Sequence, residues 1–167
     1  MIHLFFMIDI NQLTWQTFKF SDLDKSLMYS ILELRQKVFV VEQNCSYRDL
    51  DGLDQVASHV TCIQNNKIIG YARGLPPSKD SIYSTLGRIL VAVEKRGAGL
   101  GRELIKRSID NNLLEWPNRM IRISAQSYLI EFYKEFGFEV KGSEYLEDGI
   151  PHTQMIQTKQ PIAKNLA

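Results

Sequence analysis

Seven consecutive residues, Arg96-Gly97-Ala98-Gly99-Leu100-Gly101-Arg102, carry the strongest chemical signal in the chain. They follow an apolar run, Ile89-Leu90-Val91-Ala92-Val93, and lead into a helical pattern at Leu100, Leu104, Ile105 and Ile109. Glycines let a backbone turn tightly and keep side chains from standing between the main chain and a ligand. The first N–H groups of a helix have no internal partner and carry the positive end of its dipole. Phosphate oxygens suit that geometry, and Arg96 and Arg102 can add charge-assisted hydrogen bonds. Two common phosphate motifs do not fit: no GxxxxGK[ST] occurs, and glycines at 97, 99 and 101 are too close for GxGxxG. A turn without a ligand does not explain glycines at a helix head, where each costs about 1 kcal/mol. What remains is an [RQ]GxGxG turn able to anchor a diphosphate.

Groups that could move protons lie elsewhere. Tyr133 offers a phenol, and Glu42, His59, Glu147, Asp148 and His152 are candidate bases. Tyr133 also falls on an apolar stripe with Leu129, Phe132 and Phe136, so its ring suits a core as well as a site. Asp49, Asp51 and Asp54 form an acidic loop around Gly52 that could hold a cationic acceptor. It is not a calcium loop, because position six counted from Asp49 is Asp54 instead of glycine. Cys45 and Cys62 lack CxxC spacing, and His3, His59 and His152 lack HxxxH spacing, so no metal is expected. A reducing, cytoplasmic setting is the default for so few cysteines.

One domain must position these groups. The chain has 167 residues, 44% hydrophobic and 23% charged, with 20 Lys+Arg against 19 Asp+Glu. This is ordinary globular usage. A net charge of +1 leaves no bulk field for nucleic acid or an anionic membrane. Residues 1–10, apolar at first but lacking a basic leader, are expected to be an N-terminal extension. Residues 11–160 are then a single domain and 161–167 a tail.

Residues 15–20 alternate as a strand, and Ser21-Asp22-Leu23-Asp24 offers a helix cap. Leu23, Leu27, Ile31, Leu34 and Val38 mark one helix face. Strands are expected at 58–64 and 67–75 around an Asn65-Asn66 turn, then at 82–93. A helix from Leu100 runs to Pro117, a strand includes Ile121, Ile123 and Ala125, and Gly137 closes a short helix. Strands at 138–146 and 152–157 finish the chain. The order points to an α/β (α+β) fold, one mixed sheet of about six to seven strands flanked by helices.

With these residues in place, the chain resembles the GNAT N-acetyltransferase superfamily, and in particular its ElaA-like branch. The similar stretches are the glycine turn, Arg35-Gln36-Lys37-Val38-Phe39-Val40-Val41-Glu42-Gln43, Asp49-Leu50-Asp51-Gly52, Ser124-Ala125-Gln126, Phe132-Tyr133-Lys134-Glu135-Phe136-Gly137-Phe138 and Tyr145-Leu146-Glu147-Asp148-Gly149-Ile150-Pro151-His152. The resemblance implies a twisted sheet whose fourth and fifth strands splay apart. It implies that acetyl-coenzyme A lies in the gap as acyl donor, its pantetheine arm along Ile89, Leu90 and Val91. Its diphosphate would meet Arg96, Gly97, Ala98, Gly99, Leu100, Gly101 and Arg102. Gln126 stands where many members have Asn, and Val93 where many have Pro.

The resemblance further implies acetyl transfer to an amine, with Tyr133 as the acid that protonates the leaving thiolate. Glu42 and His152 are the candidates carried forward as base. The acceptor is a small-molecule or peptide amine, shaped by loops 43–56 and 142–152. A non-catalytic acyl-coenzyme A sensor or partner-binding module remains the alternative. A symmetric homodimer is a common outcome for such domains.

Overall fold

The computed structural model describes residues 13–157. Strand β1 (Leu13–Lys19) forms one edge of the sheet. Asp24 then caps helix α1 (Lys25–Arg35), accepting the Leu27 N–H at 2.8 Å. The expected stripe faces inward: Ile31, Leu34 and Val38 are buried, with Leu23 and Leu27 packed beside them. The α-helix stops earlier than the stripe suggests. From Gln36–Glu42 the chain is a π-helix, in which the Gln43 N–H reaches back five residues to the Val38 carbonyl at 3.2 Å. Val38, Val40 and Val41 are β-branched and crowd a tight α-turn, which accounts for the wider coil.

Strands β2 (Ser58–Gln64) and β3 (Lys67–Leu75) form the expected hairpin. Asn65 and Asn66 both take positive φ, +50° and +61°, the requirement of a tight primed turn. Strand β4 (Ser84–Val91) pairs antiparallel with β3. The register shifts between Tyr71 and Arg73, where Arg88 adopts φ +52°. This bulge bends β4 halfway along its length.

Helix α2 (Leu100–Glu115), strand β5 (Ile121–Gln126) and helix α3 (Ile130–Lys134) follow. The stretch 138–146 is not one strand. It divides into β6 (Phe138–Val140) and β7 (Tyr145–Glu147), with Gly142 at φ +90° between them. Asp148 and Gly149, at φ +50° and +81°, turn β7 back onto β8 (Ile150–Gln157). Among the described residues the sheet therefore has eight strands, ordered β1-β2-β3-β4-β5-β8-β6 with β7 added against β8. The proposed extension 1–10 and tail 161–167 lie outside the described residues.

The joint that matters is β4 with β5. These strands run parallel and pair only at Ser84 with Ile121 and Thr85 with Arg122. Both continue for several residues beyond that point without pairing to each other. The expected splay is present, and from Leu86 to Val91 the far edge of β4 has no strand partner among the described residues. Two apolar clusters brace the wedge. One packs α1 and the π-helix against Tyr71, Leu90 and Leu100. The other packs α2 and α3 against Leu86, Ile123, Ala125 and Met155.

Candidate active site

The glycine turn sits where the unpaired end of β4 gives way to α2. Gly97 and Gly99 have φ +84° and +80°, a region L side chains rarely adopt. A Cβ at either would meet nothing within 4 Å, so backbone conformation and not crowding demands glycine. Gly99 is the N-cap and brings no capping side chain. The Arg102 and Glu103 N–H groups bond its carbonyl at 3.0 and 3.4 Å, while those of Leu100 and Gly101 have no helical acceptor. The Leu100 side chain is buried in the α1 cluster and pins the turn, so its contribution to a ligand is main-chain only. Ala98 is exposed beside it.

Both flanking arginines hold carboxylates. Arg96 donates to Glu42 Oε1 and Oε2 at 2.6 and 3.0 Å, and its Nε donates to the Val91 carbonyl at 3.0 Å. Arg102 pairs with Glu135 just beyond α3 and lies over the Phe132 ring at 5.4 Å. These contacts tie the turn to the π-helix on one side and to the Tyr133 segment on the other.

The two walls of the splay differ in character. On the β4 side Leu90 is buried in the α1 cluster, and Ile89 and Val91 are partly buried against Val60, Ala72 and Leu104. On the β5 side Ile121, Ile123 and Ala125 face the α2–α3 core, so alternation turns Ser124 and Gln126 to the opposite face. Gln126 reaches Gln43, just past the π-helix, at 3.5 Å and pairs across the sheet with His152, which in turn pairs with Tyr145. His152 Nδ1 lies 2.8 Å from the Ile150 carbonyl. A carbonyl can only accept, so Nδ1 donates, and in the neutral imidazole the lone pair is on Nε2. The Tyr145 ring stacks on His152 at 6.3 Å between centroids.

Tyr133 is only 7% exposed and meets Phe132 and Phe138 edge-on, within the cluster under α2 and α3. Burial, with a smaller effect of nearby Tyr128, pushes its phenol well above the ordinary range.

Residues 22–159 match the family described as "Acetyltransferase (GNAT) domain". The chain belongs to the GNAT acetyltransferase family. This GNAT chain is 38% identical over 143 residues to protein ElaA of Escherichia coli, covering 84% of itself and 94% of that relative. It is 40% identical over 146 residues to a UPF0039 protein of Synechocystis, covering 87% and 95%. Among solved structures it is similar to an acyl-CoA N-acyltransferase from Pseudomonas aeruginosa, with TM-score 0.84, 34% identity and coverage of 87% and 99%. With the crystal structure of E. coli ElaA the TM-score is 0.82, at 36% identity, covering 87% and 99%.

The acidic loop of this GNAT chain does not have the expected role. Asp49 is bonded by Arg35 Nε at 2.9 Å, by Arg88 Nε at 2.6 Å and by the Tyr47 hydroxyl at 2.9 Å. Asp54 receives Arg35 and Arg73 at 2.7 and 3.0 Å, and Asp51 receives Arg73 through two nitrogens at 2.8 and 2.5 Å. Three guanidiniums thus neutralise three carboxylates, and the loop offers no spare charge to a cationic acceptor. Burial raises the Asp49 and Asp51 carboxyls, but arginine charge and hydrogen bonds outweigh it and hold both below the usual range.

His59 is corrected on the same grounds. It is fully buried, with Nε2 3.0 Å from the Asp54 carbonyl and Nδ1 2.7 Å from the Tyr71 hydroxyl. Nε2 must donate and Nδ1 must accept, which leaves no lone pair for catalysis. Burial also lowers its pKa, keeping the ring neutral. Sequence reasoning missed Arg35, Tyr47, Arg73 and Arg88. Arg35 alone left a local trace: it follows Ile31 by four residues and therefore stands on the buried helix face.

Proposed function

We propose that this protein transfers an acetyl group from acetyl-coenzyme A to the nitrogen of a small-molecule or peptide amine by direct attack. The observation that carries the reading is the glycine turn at the end of a β4 edge that the splay leaves unpaired. The residues present fit the donor. Main-chain N–H groups at Leu100 and Gly101, with Arg96 and Arg102, suit its diphosphate, and Ile89 to Val91 suit its amide arm. When bound, acetyl-coenzyme A supplies a thioester activated for attack by nitrogen.

The chain's own residues then divide the work. Gln126 holds the arm from the β5 wall. A main-chain N–H at Leu90 or Val91 donates to the reacting carbonyl oxygen as charge builds on it. His152 Nε2 takes the proton from the incoming ammonium. We prefer it to Glu42, whose two oxygens are already committed to the Arg96 fork. Glu42 then acts through Arg96, as the residue that orients it. Tyr133, kept protonated by burial, gives its proton to the departing sulfur.

We place the reaction in a reducing compartment, the cytoplasm, because Cys45 and Cys62 are both free thiols. No described helix is long and apolar enough to cross a membrane. The deciding experiment uses isotopically labelled acetyl-coenzyme A with a broad amine panel, reading thiol release and the acceptor's mass shift. Turnover supports the transferase. Saturable coenzyme binding without thiol release on any amine would make the protein a sensor or partner-binding module.

A further inference from the structure

The carboxylates around the splay fall into two electrostatic groups. Glu42 is forked by Arg96, and Asp49, Asp51 and Asp54 are neutralised by Arg35, Arg73 and Arg88. Glu147 makes no ion pair with any described residue. Its Oε2 accepts instead from the Ser124 hydroxyl at 2.6 Å and the Tyr145 hydroxyl at 3.4 Å. Those two hydroxyls are themselves 2.5 Å apart, so Ser124 donates to the carboxylate while the Tyr145 proton is shared between Ser124 Oγ and Oε2, and both donors are neutral. Arg122, the guanidinium on the same face of β5, lies over the Tyr83 ring at 5.9 Å. Ser124, Tyr145 and Glu147 are all exposed.

Position adds to charge. Tyr145 and Glu147 on β7 share one face of the sheet with His152 on β8 and Gln126 on β5, through the pairings Tyr145 with His152 and Gln126 with His152. Tyr145 spans the group, its ring stacked on the imidazole and its hydroxyl turned to the carboxylate. An oriented anion and a ring nitrogen therefore lie one tyrosine apart on the face of the sheet that Ser124 and Gln126 share.

We propose that Glu147 is a cation subsite for the acceptor, and that the acceptor is a short diamine. This rests on the transferase reading above. One ammonium stays protonated on Glu147 through charge-assisted hydrogen bonds. The other gives one proton to His152 Nε2; its neutral nitrogen bonds the thioester carbon, the carbon–sulfur bond breaks, and the nitrogen's second proton replaces the one that Tyr133 gives to the sulfur. A monoamine of equal length lacks the first contact, and an amino acid brings a carboxylate that Glu147 repels.

The test compares 1,4-diaminobutane with n-pentylamine by thiol release, in the wild-type chain and in Glu147→Gln. The wild type should favour the diamine in kcat/KM by about tenfold or more. Glu147→Gln should bring the ratio of the two amines toward one, mainly by raising KM for the diamine. A wild-type ratio near one, or the same ratio in both proteins, overturns the subsite. If neither amine releases thiol, titration calorimetry with 1,4-diaminobutane decides separately. Heat in the wild type that Glu147→Gln abolishes keeps the subsite while the transferase reading falls. No heat, or heat unchanged by the substitution, overturns the subsite itself. Because Glu147 is exposed, thermal melting of the variant should match the wild type and confirm its fold.

Discussion

Arg96 and Glu42 face each other as a two-point fork, at 2.6 and 3.0 Å, although 54 residues separate them in the chain. The arginine heads the glycine turn and the glutamate ends the π-helix. Phosphate oxygens present the same paired geometry to a guanidinium as a carboxylate does. Glu42 thus holds Arg96 extended at the turn, in the position a diphosphate would use.

Arg96→Gln should weaken coenzyme A binding by about tenfold, the loss of one charge-assisted contact. Glu42→Gln should also weaken it, but by less, since the guanidinium stays while the carboxylate that holds it extended at the turn is lost. Calorimetry with coenzyme A reads both. The pair is 42% and 36% exposed at its side chains, so neither change should cost more than about 1 kcal/mol of stability.

Tyr133→Phe should lower turnover by about 10²-fold or more while leaving coenzyme A affinity intact. Its hydroxyl makes no hydrogen bond to another described residue, so thermal melting should hardly move. Because burial raises the phenol above about 10, the wild-type rate should show no alkaline decline from this group below about pH 10. Unchanged turnover in the variant would remove Tyr133 from the mechanism.

Arg35→Met tests the hidden charge network. Arg35 is fully buried and serves both Asp49 and Asp54, at 2.9 and 2.7 Å. Removing one member of a buried pair strands its partner and costs about 3–5 kcal/mol. Urea denaturation should show a loss of that size. A loss under about 1 kcal/mol would mean that solvent reaches the aspartates.

Acid should destabilise the fold in two stages. His59 is lowered by burial, so its contribution is complete above the unfolded value of about 6.5 and fades as pH falls through its lower folded value. Asp49 and Asp51 are also held low in the fold, which places their contribution above about pH 4 and its loss below. Melting temperature should therefore be level from about pH 7 to about 8, decline gently below 6.5 and drop steeply below about 4. A maximum near pH 5 would contradict the direction for His59, and no loss between about pH 4 and 2 would contradict the direction for the aspartates.

Neighbouring residues settled much of this protein by themselves. The Asp24 cap, the Asn65-Asn66 turn and the glycines at 97 and 99 are each fixed by the backbone angles their own side chains allow. The α2 stripe and the alternation of β5 likewise follow from local periodicity, which is why the glycine turn at the head of α2 could be read directly. The π-helix and the break at Gly142 were harder. A run of β-branched residues or a lone glycine weakens an element without saying where it stops.

Tertiary structure alone decided which charges remain available. The sequence presents Asp49, Asp51, Asp54, Glu42 and Glu147 as equivalent acids, yet only packing brings Arg35, Arg73, Arg88 and Arg96 against the first four. The same packing buries His59 and leaves His152 Nε2, on β8 opposite Gln126 of β5, without a partner among the described residues. Side-chain type sets what a group can do, whereas its solvation and its partners, drawn from distant parts of the chain, set whether it is left to do it.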